Sequence, residues 1–215
     1  MDKSGKYIPA LGRDWLTPLY DPLQRWVMRE ERFKRALEEQ AQIAPGHRVL
    51  DLGCGTATLT ILIKQRHPNA EVVGLDGDPK ILEIARAKAA NFGVNITLDQ
   101  GMASELPYPD STFDRVLSSL MLHHLTTENK QRTLRETFRV LRPGGELYIA
   151  DFGKPHGAYA HLMSAIMQRF EEAGDNFRGL LPEMIRRAGF GQVEERASFM
   201  TVFGTLALNR ARKPG

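Results

Sequence analysis

The stretch richest in chemistry is Val49-Leu50-Asp51-Leu52-Gly53-Cys54-Gly55-Thr56-Ala57, an apolar strand carrying one acid that runs into a turn with two glycines. In an open parallel sheet such a turn is where a ligand docks, because glycine lets the backbone come close and the following helix start presents unpaired amides. Gly53, Cys54 and Gly55 are therefore expected to line a bound cofactor, with Asp51 facing its cationic part. A second acid, Asp76, closes the strand Val72-Val73-Gly74-Leu75-Asp76 and is followed by Gly77. It lies about twenty residues beyond the glycines, the separation at which a carboxylate reaches ribose hydroxyls. Asp78, directly before Pro79, reads as a helix N-cap.

Two cofactor classes compete for such a turn. The dinucleotide fingerprint G-x-G-x-x-G is broken here, since Thr58 stands where a dehydrogenase needs its third glycine or alanine, although Ala57 is one place earlier. The acid Asp51 also suits a cofactor bearing an ammonium and a sulfonium better than one bearing a pyrophosphate. Charge favours S-adenosylmethionine. Displacement at a sulfonium needs alignment and exclusion of water more than a dedicated catalytic group, but a hydroxyl or activated-carbon acceptor would gain from a general base. His123 and His124 follow the fourth strand on the expected cofactor side and are the candidates, against a competing role in loop packing. Ser118 and Ser119, at the same strand end, are expected to line the cofactor.

Regular alternation of elements positions these residues. A helix with Asp21 as N-cap and Pro22 at its first position spans Asp21 to Ala41; strands are expected at Arg48–Leu52, Glu71–Leu75, Ile96–Gln100, Phe113–Ser118 and Glu146–Ala150. Helices fall between them at Thr58–Arg66, Pro79–Asn91 and Asn129–Leu141, the last ended by Arg142-Pro143-Gly144-Gly145. Beyond lie helices at Ala158–Ala173 and Leu181–Ala188 and two strands, Val193–Ala197 and Val202–Asn209, close enough in sequence to pair antiparallel. The implied architecture is α/β: a Rossmann-like, doubly wound, mostly parallel seven-stranded sheet with an antiparallel C-terminal strand and helices on both faces. One domain, 43–215, is expected to bind the cofactor. An arm and amphipathic helix, 1–42, and an insert, 152–180, roof the acceptor. Tyr20 is the arm residue expected to touch cofactor and acceptor together, among Tyr7, Trp15, Trp26, Tyr159, His161, Met163, Met167 and Phe170.

Composition narrows the classes. Cys54 is the only cysteine, which removes intramolecular disulfides and multi-cysteine metal or redox chemistry; no metal site is evident. No apolar run reaches the length of a membrane span, so a cytoplasmic setting is expected. The net charge of +3 is small. Basic residues gather at Arg25, Arg29, Arg32, Lys34 and Arg35, and again at Arg210, Arg212 and Lys213, which leaves peripheral membrane contact open. Nucleic acid is disfavoured as a partner, because neither a Pro-Pro-Tyr or Pro-Pro-Phe signature nor an RNA-binding module is present. A non-catalytic nucleotide binder is the remaining alternative class. Oligomeric state is not legible.

From Val49 to Pro155 the chain resembles the class I methyltransferases of the ubiquinone and menaquinone biosynthesis type. The matching pieces are VLDLGCGTA, VVGLDGDP, ELPYPDSTFD at Glu105 to Asp114, LHHL at Leu122 to Leu125, RETFRVLRPGG at Arg135 to Gly145 and IADFGKP at Ile149 to Pro155. The resemblance implies S-adenosylmethionine as methyl donor and a small-molecule or lipid acceptor, either a quinone precursor or an amine headgroup. Two positions depart from the pattern. Ala57 replaces a further glycine, which a turn accepts if its φ is negative. Gly101-Met102-Ala103 replaces Gly-Asp-Ala, so adenine recognition is expected from the backbone at Met102 and Ala103, with Asp99 facing elsewhere.

Overall fold

The computed structural model describes residues 30–167 and 173–215. In chain order the elements are α1 (Glu30–Gln40), β1 (Arg48–Leu52), α2 (Thr58–Arg66), β2 (Glu71–Asp76), α3 (Pro79–Asn91), β3 (Thr97–Gln100), β4 (Phe113–Ser119), α4 (Thr127–Val140), β5 (Leu141–Phe152), α5 (Ala158–Met167), α6 (Gly174–Phe177), α7 (Leu181–Arg187), β6 (Gly191–Thr201) and β7 (Gly204–Arg212). A single 3-10 turn, Leu122–His124, joins β4 to α4. The strands form one seven-stranded sheet in the order β3-β2-β1-β4-β5-β7-β6. Its first five strands are parallel, and β7 runs antiparallel to both β5 and β6. The chain thus has the expected doubly wound architecture, with the order reversing between β1 and β4.

Strand side chains alternate between two packed faces. Val49, Val72, Leu117, Tyr148 and Ala150 point to the side covered by Phe33 and Leu37 of α1 and by Leu59 and Ile63 of α2. Leu50, Leu52, Val73, Val116, Leu147 and Ile149 point to the other side, under Leu134 of α4 and Met184 and Ile185 of α7. By the same parity Asp51 projects toward α1 and α2. Local chemistry starts the helices: Asp78 caps α3 by accepting from the Lys80 amide at 2.9 Å with Pro79 at the first position, and Thr126 caps α4 by accepting from the Asn129 amide at 3.3 Å.

The segments before β4 and around α4 are held together by Arg139. Its guanidinium donates to the carbonyls of Leu106 and Tyr108 and to the carboxylates of Asp110 and Glu136, while Glu136 accepts from the Leu106 amide. Much of the ELPYPDSTFD and RETFRVLRPGG pattern therefore serves this clamp.

Most boundaries fall within two residues of the sequence expectation, and three regions differ by more. Strand β5 begins at Leu141 rather than Glu146, because Leu141 pairs with Phe113 and Glu146 with Arg115, so the Arg142–Gly145 turn bulges out of a ladder it was expected to precede. Strands β6 and β7 extend as a long hairpin with register shifts in β6. The helix expected over Ala158–Ala173 is described as α5 to Met167, and α6 starts only at Gly174; residues 168–172 lie outside the described residues.

Gly74, in the middle of β2, is where the cofactor turn packs onto the sheet. A Cβ there would sit 2.9 Å from Leu98 Cδ2 and 3.0 Å from Cys54 Sγ. Replacing Gly74 by Ala is expected to cost about 2 kcal/mol through overpacking, seen as a melting temperature lower by about 4–8 °C. An unchanged melting temperature would show that Cys54 and the turn move aside freely.

Candidate active site

The C-terminal ends of β1, β2, β4 and β5 meet at the topological switch point, where open α/β sheets take their ligands. The turn after β1 is pinned to β2: the amides of Gly53 and Cys54 both donate to the Leu75 carbonyl, at 2.8 and 3.0 Å. Gly53 and Gly55 have φ of +72° and +54°, in the left-handed region that glycine tolerates. A Cβ on Gly55 would meet nothing within 4 Å, so this side of the turn is open. A Cβ on Gly53 would lie 2.3 Å from Met121 Cγ, so the Met121 side chain rests directly on that glycine.

Ala57 corrects the sequence expectation of a negative φ. Its φ is +60°, and it is fully buried among Ile61 of α2 and Ala85 and Ala89 of α3. Burial of its methyl group, worth about 0.8 kcal/mol, offsets only part of a left-handed alanine's cost of about 1–2 kcal/mol.

Asp76 gathers the turn from the other side. One carboxylate oxygen accepts from the Gly55 amide at 2.9 Å and the other from the Asp78 amide at 3.0 Å; the Gly77 amide also bonds to it. Burial raises the Asp76 pKa above the usual carboxylate range against the pull of these amides. The carboxylate keeps lone-pair capacity for a further donor. Asp51 is buried more deeply. Its Oδ2 accepts from Thr60 Oγ1 at 2.6 Å, while its Oδ1 is buried without a hydrogen bond. Burial pushes its pKa up to about 6, opposed by the Thr60 bond and by the nearby Lys34 ammonium, which is paired with Glu30 on α1. Burial likewise raises the Cys54 thiol well above its ordinary value, so this residue contributes backbone rather than reactivity.

The other expected site residues are distributed unevenly. Met102 is 46% exposed beside the partly buried Ala103, next to the end of β3, while Asp99 accepts from the Tyr108 hydroxyl at 2.9 Å. Ser118 is buried and spends its hydroxyl on the Leu52 carbonyl at 2.9 Å, inside the sheet; Ser119, one residue on, is partly exposed. Tyr20, with Tyr7, Trp15, Trp26 and Phe170, lies outside the described residues.

His123 and His124 sit in the 3-10 turn after β4, their rings 4.0 Å apart. His123 is buried, and its Nδ1 bonds to Asp151 Oδ1 at 2.8 Å. The other Asp151 oxygen accepts from the Leu122 amide at 2.8 Å and the His123 amide at 3.3 Å. Burial raises the Asp151 pKa, but His123 and the Phe152 amide outweigh it and hold the carboxyl below its ordinary value. Sequence reading gave no role to Asp151 or Met121; the signals for Asp151 were its place at the end of an apolar strand and in the IADFGKP piece.

Residues 49–145 match the family described as "Methyltransferase domain". The demethylmenaquinone methyltransferase of Thermus thermophilus is 35% identical over 72% of this chain and 70% of its own length. The class is thereby settled. This chain belongs to the class I S-adenosylmethionine-dependent methyltransferases. It is an enzyme of that class acting on a small molecule, with S-adenosylmethionine as cofactor. The ubiquinone/menaquinone biosynthesis C-methyltransferase UbiE of Pasteurella multocida is 39% identical over 57% of this chain, which spans 46% of that protein. Among solved structures, the YcgJ protein of Bacillus subtilis superposes with a TM-score of 0.71 over 86% of this chain and 99% of its own, at 17% identity, a likeness of fold.

The methyltransferase site fits its cofactor on its own chemistry. The unpartnered Asp51 oxygen suits an ammonium group, Asp76 has lone pairs for a ribose diol, and the open face of Gly55 leaves room for close approach. Asp51 also carries a measurable cost. A carboxyl whose folded pKa is raised contributes most stability below its unfolded pKa and loses it as pH rises through the folded value, here about 6. At pH 8 the Asp51→Asn protein is therefore expected to be more stable than the parent by about 1–2 kcal/mol, with the advantage gone by pH 4. It should also bind S-adenosylmethionine at least about tenfold more weakly, for loss of a charge-assisted bond. Thermal melts at both pH values and calorimetry check both; lower stability at pH 8 or unchanged affinity would contradict the assignment.

Proposed function

We propose that this enzyme methylates a ring carbon of a hydroxylated quinone precursor, with His123 as general base. The observation that carries the reading is the buried His123–Asp151 pair at the cofactor end of the sheet. Two relatives named for quinone biosynthesis support the acceptor class. When bound, the cofactor supplies an electrophilic methyl group on a cationic sulfur. The acceptor must then present a nucleophilic carbon, which the ring of a quinol becomes when its neighbouring hydroxyl loses a proton. Donation from His123 Nδ1 to the Asp151 carboxylate leaves the lone pair on Nε2, the atom that would receive this proton, with Asp151 stabilising the imidazolium. As the methyl group leaves sulfur for the ring carbon, that carbon would give up its own hydrogen as a proton, restoring the aromatic ring while His123 returns a proton to the oxygen. Phe152, whose ring is 4.8 Å from the His123 ring, keeps water from this side of the histidine.

The arm 1–42 and the insert 152–180 are proposed to roof the acceptor; Tyr20 and the arm before Glu30 lie outside the described residues. Asp51, Gly53, Cys54, Gly55, Asp76, Gly77, Met102, Ala103 and Ser119 are assigned to the cofactor; Ser118 acts there only through the strand end it holds to Leu52. Among the described residues no helix is long and apolar enough to cross a membrane. A prenylated acceptor would be met at a membrane surface, and the free thiol of Cys54 suits a cytoplasmic location.

Incubated with S-adenosylmethionine and a short-chain prenylated 1,4-naphthoquinol, the protein should yield a product heavier by one methylene, detected by mass spectrometry. His123→Ala should lower kcat by about 10²–10⁴ while leaving S-adenosylhomocysteine affinity unchanged. Methylation of phosphatidylethanolamine but not of the quinol would overturn the acceptor assignment, and full activity of His123→Ala would overturn the base.

A further inference from the structure

Asn176 is 1% exposed, and both its amide nitrogen and its amide oxygen are buried without a hydrogen bond. Among the described residues no other side chain leaves two polar atoms orphaned together. Buried polar groups are nearly always paired, because each unpaired one gives up its hydrogen bonds to water for nothing in return. An amide satisfied by nothing in the protein calls for a partner from outside it.

Its surroundings say where that partner lies. Asn176 is carried by α6, which is anchored on one side by Asp175: this acid accepts from Thr127 Oγ1 at 2.5 Å and from Arg178 Nη2 at 2.8 Å, with Lys130 Nζ 3.8 Å away. On the other side Phe177 packs its ring 5.3 Å from that of Phe152, and Phe152 in turn meets His123 at 4.8 Å. Helix α6 thus rests against the 3-10 turn and the end of β5, the elements that hold the His123–Asp151 pair. The four-residue helix that carries this unsatisfied carboxamide is thus linked, through Phe177 and Phe152, to the base.

We infer that Asn176 is a specificity-determining residue that binds the acceptor's hydroxyl group. A hydroxyl donates one hydrogen bond and accepts others, which matches the amide oxygen and the amide N–H together. An ammonium headgroup donates only and would leave the Asn176 nitrogen unpaired, so the same residue disfavours amine acceptors. This inference rests on the proposed quinol acceptor, and its test separates the two.

Asn176→Leu, close in volume, and Asn176→Ala are compared with the parent in three measurements: melting temperature without ligand, S-adenosylhomocysteine affinity, and binding and methylation of the short-chain prenylated naphthoquinol. Asn176→Leu should melt at or above the parent's temperature, since it removes orphaned polar atoms, and should keep its S-adenosylhomocysteine affinity. Both variants should raise the KM for the quinol at least tenfold. Quinol that binds the parent in an Asn176-dependent manner without being methylated would uphold the inference and remove the proposed reaction. Methylation with the same KM in parent and variants would do the reverse. A melting temperature several degrees lower in Asn176→Leu would show that the amide is bonded within the protein and would overturn the inference, and a parent that neither binds nor methylates the quinol would overturn both.

Discussion

The ligand side of this molecule hangs on two amides of one turn donating to one carbonyl. By directing the Gly53 and Cys54 N–H groups at Leu75, the chain locks the exit of β1 across the end of β2. Asp76, the next residue after Leu75, is then brought under Gly55, whose amide it accepts. The close approach has steric conditions. Gly53 must lack a side chain because Met121 occupies the space a Cβ would need, and Gly74 must lack one because Cys54 and Leu98 do. Two strand ends, a turn and a helix start are thereby held as one rigid cradle, and the cofactor's position follows from it.

Acids at this end of the sheet are divided by their partners. Asp51 and Asp76 are both pushed up by burial, Asp51 with an oxygen unbonded. Asp151 is as deeply buried as Asp51, yet a histidine and backbone amides hold it ionised. Under-satisfied carboxylates invite a cationic, hydroxylated ligand, whereas a fully bonded one orients a neighbour. In the proposed reaction the two kinds separate cofactor recognition from proton handling. Asn176 extends the pattern to the acceptor side, where an unsatisfied neutral amide faces no charge of its own to balance.

How far the sequence foretold this depends on whether a feature is local. Strand β1 and helix α2 were readable to the residue, since periodicity, glycine turns and caps act over a few positions. Asp51 and Asp76 were readable because their spacing reflects one βαβ unit. What was not readable was set by contacts distant in sequence. The bulge that absorbs Arg142 to Gly145 depends on β4, and the Ser118 hydroxyl is taken by Leu52. The left-handed Ala57 sits among side chains of α2 and of α3, the latter far along the chain. Asp151 acquires its role only when β5 lies beside the 3-10 turn. Part of the family pattern is structural, since Leu106, Tyr108, Asp110, Glu136 and Arg139 belong to a clamp between the segment before β4 and α4.

The most direct test of the cradle is calorimetric titration of S-adenosylhomocysteine into the parent protein and into Asp76→Ala. Micromolar binding to the parent, lost in a variant whose circular dichroism and cooperative melting show an intact fold, is the predicted result. No binding to the parent, or equal binding to both proteins, would contradict the placement of the cofactor between the Asp51 to Ala57 turn and Asp76.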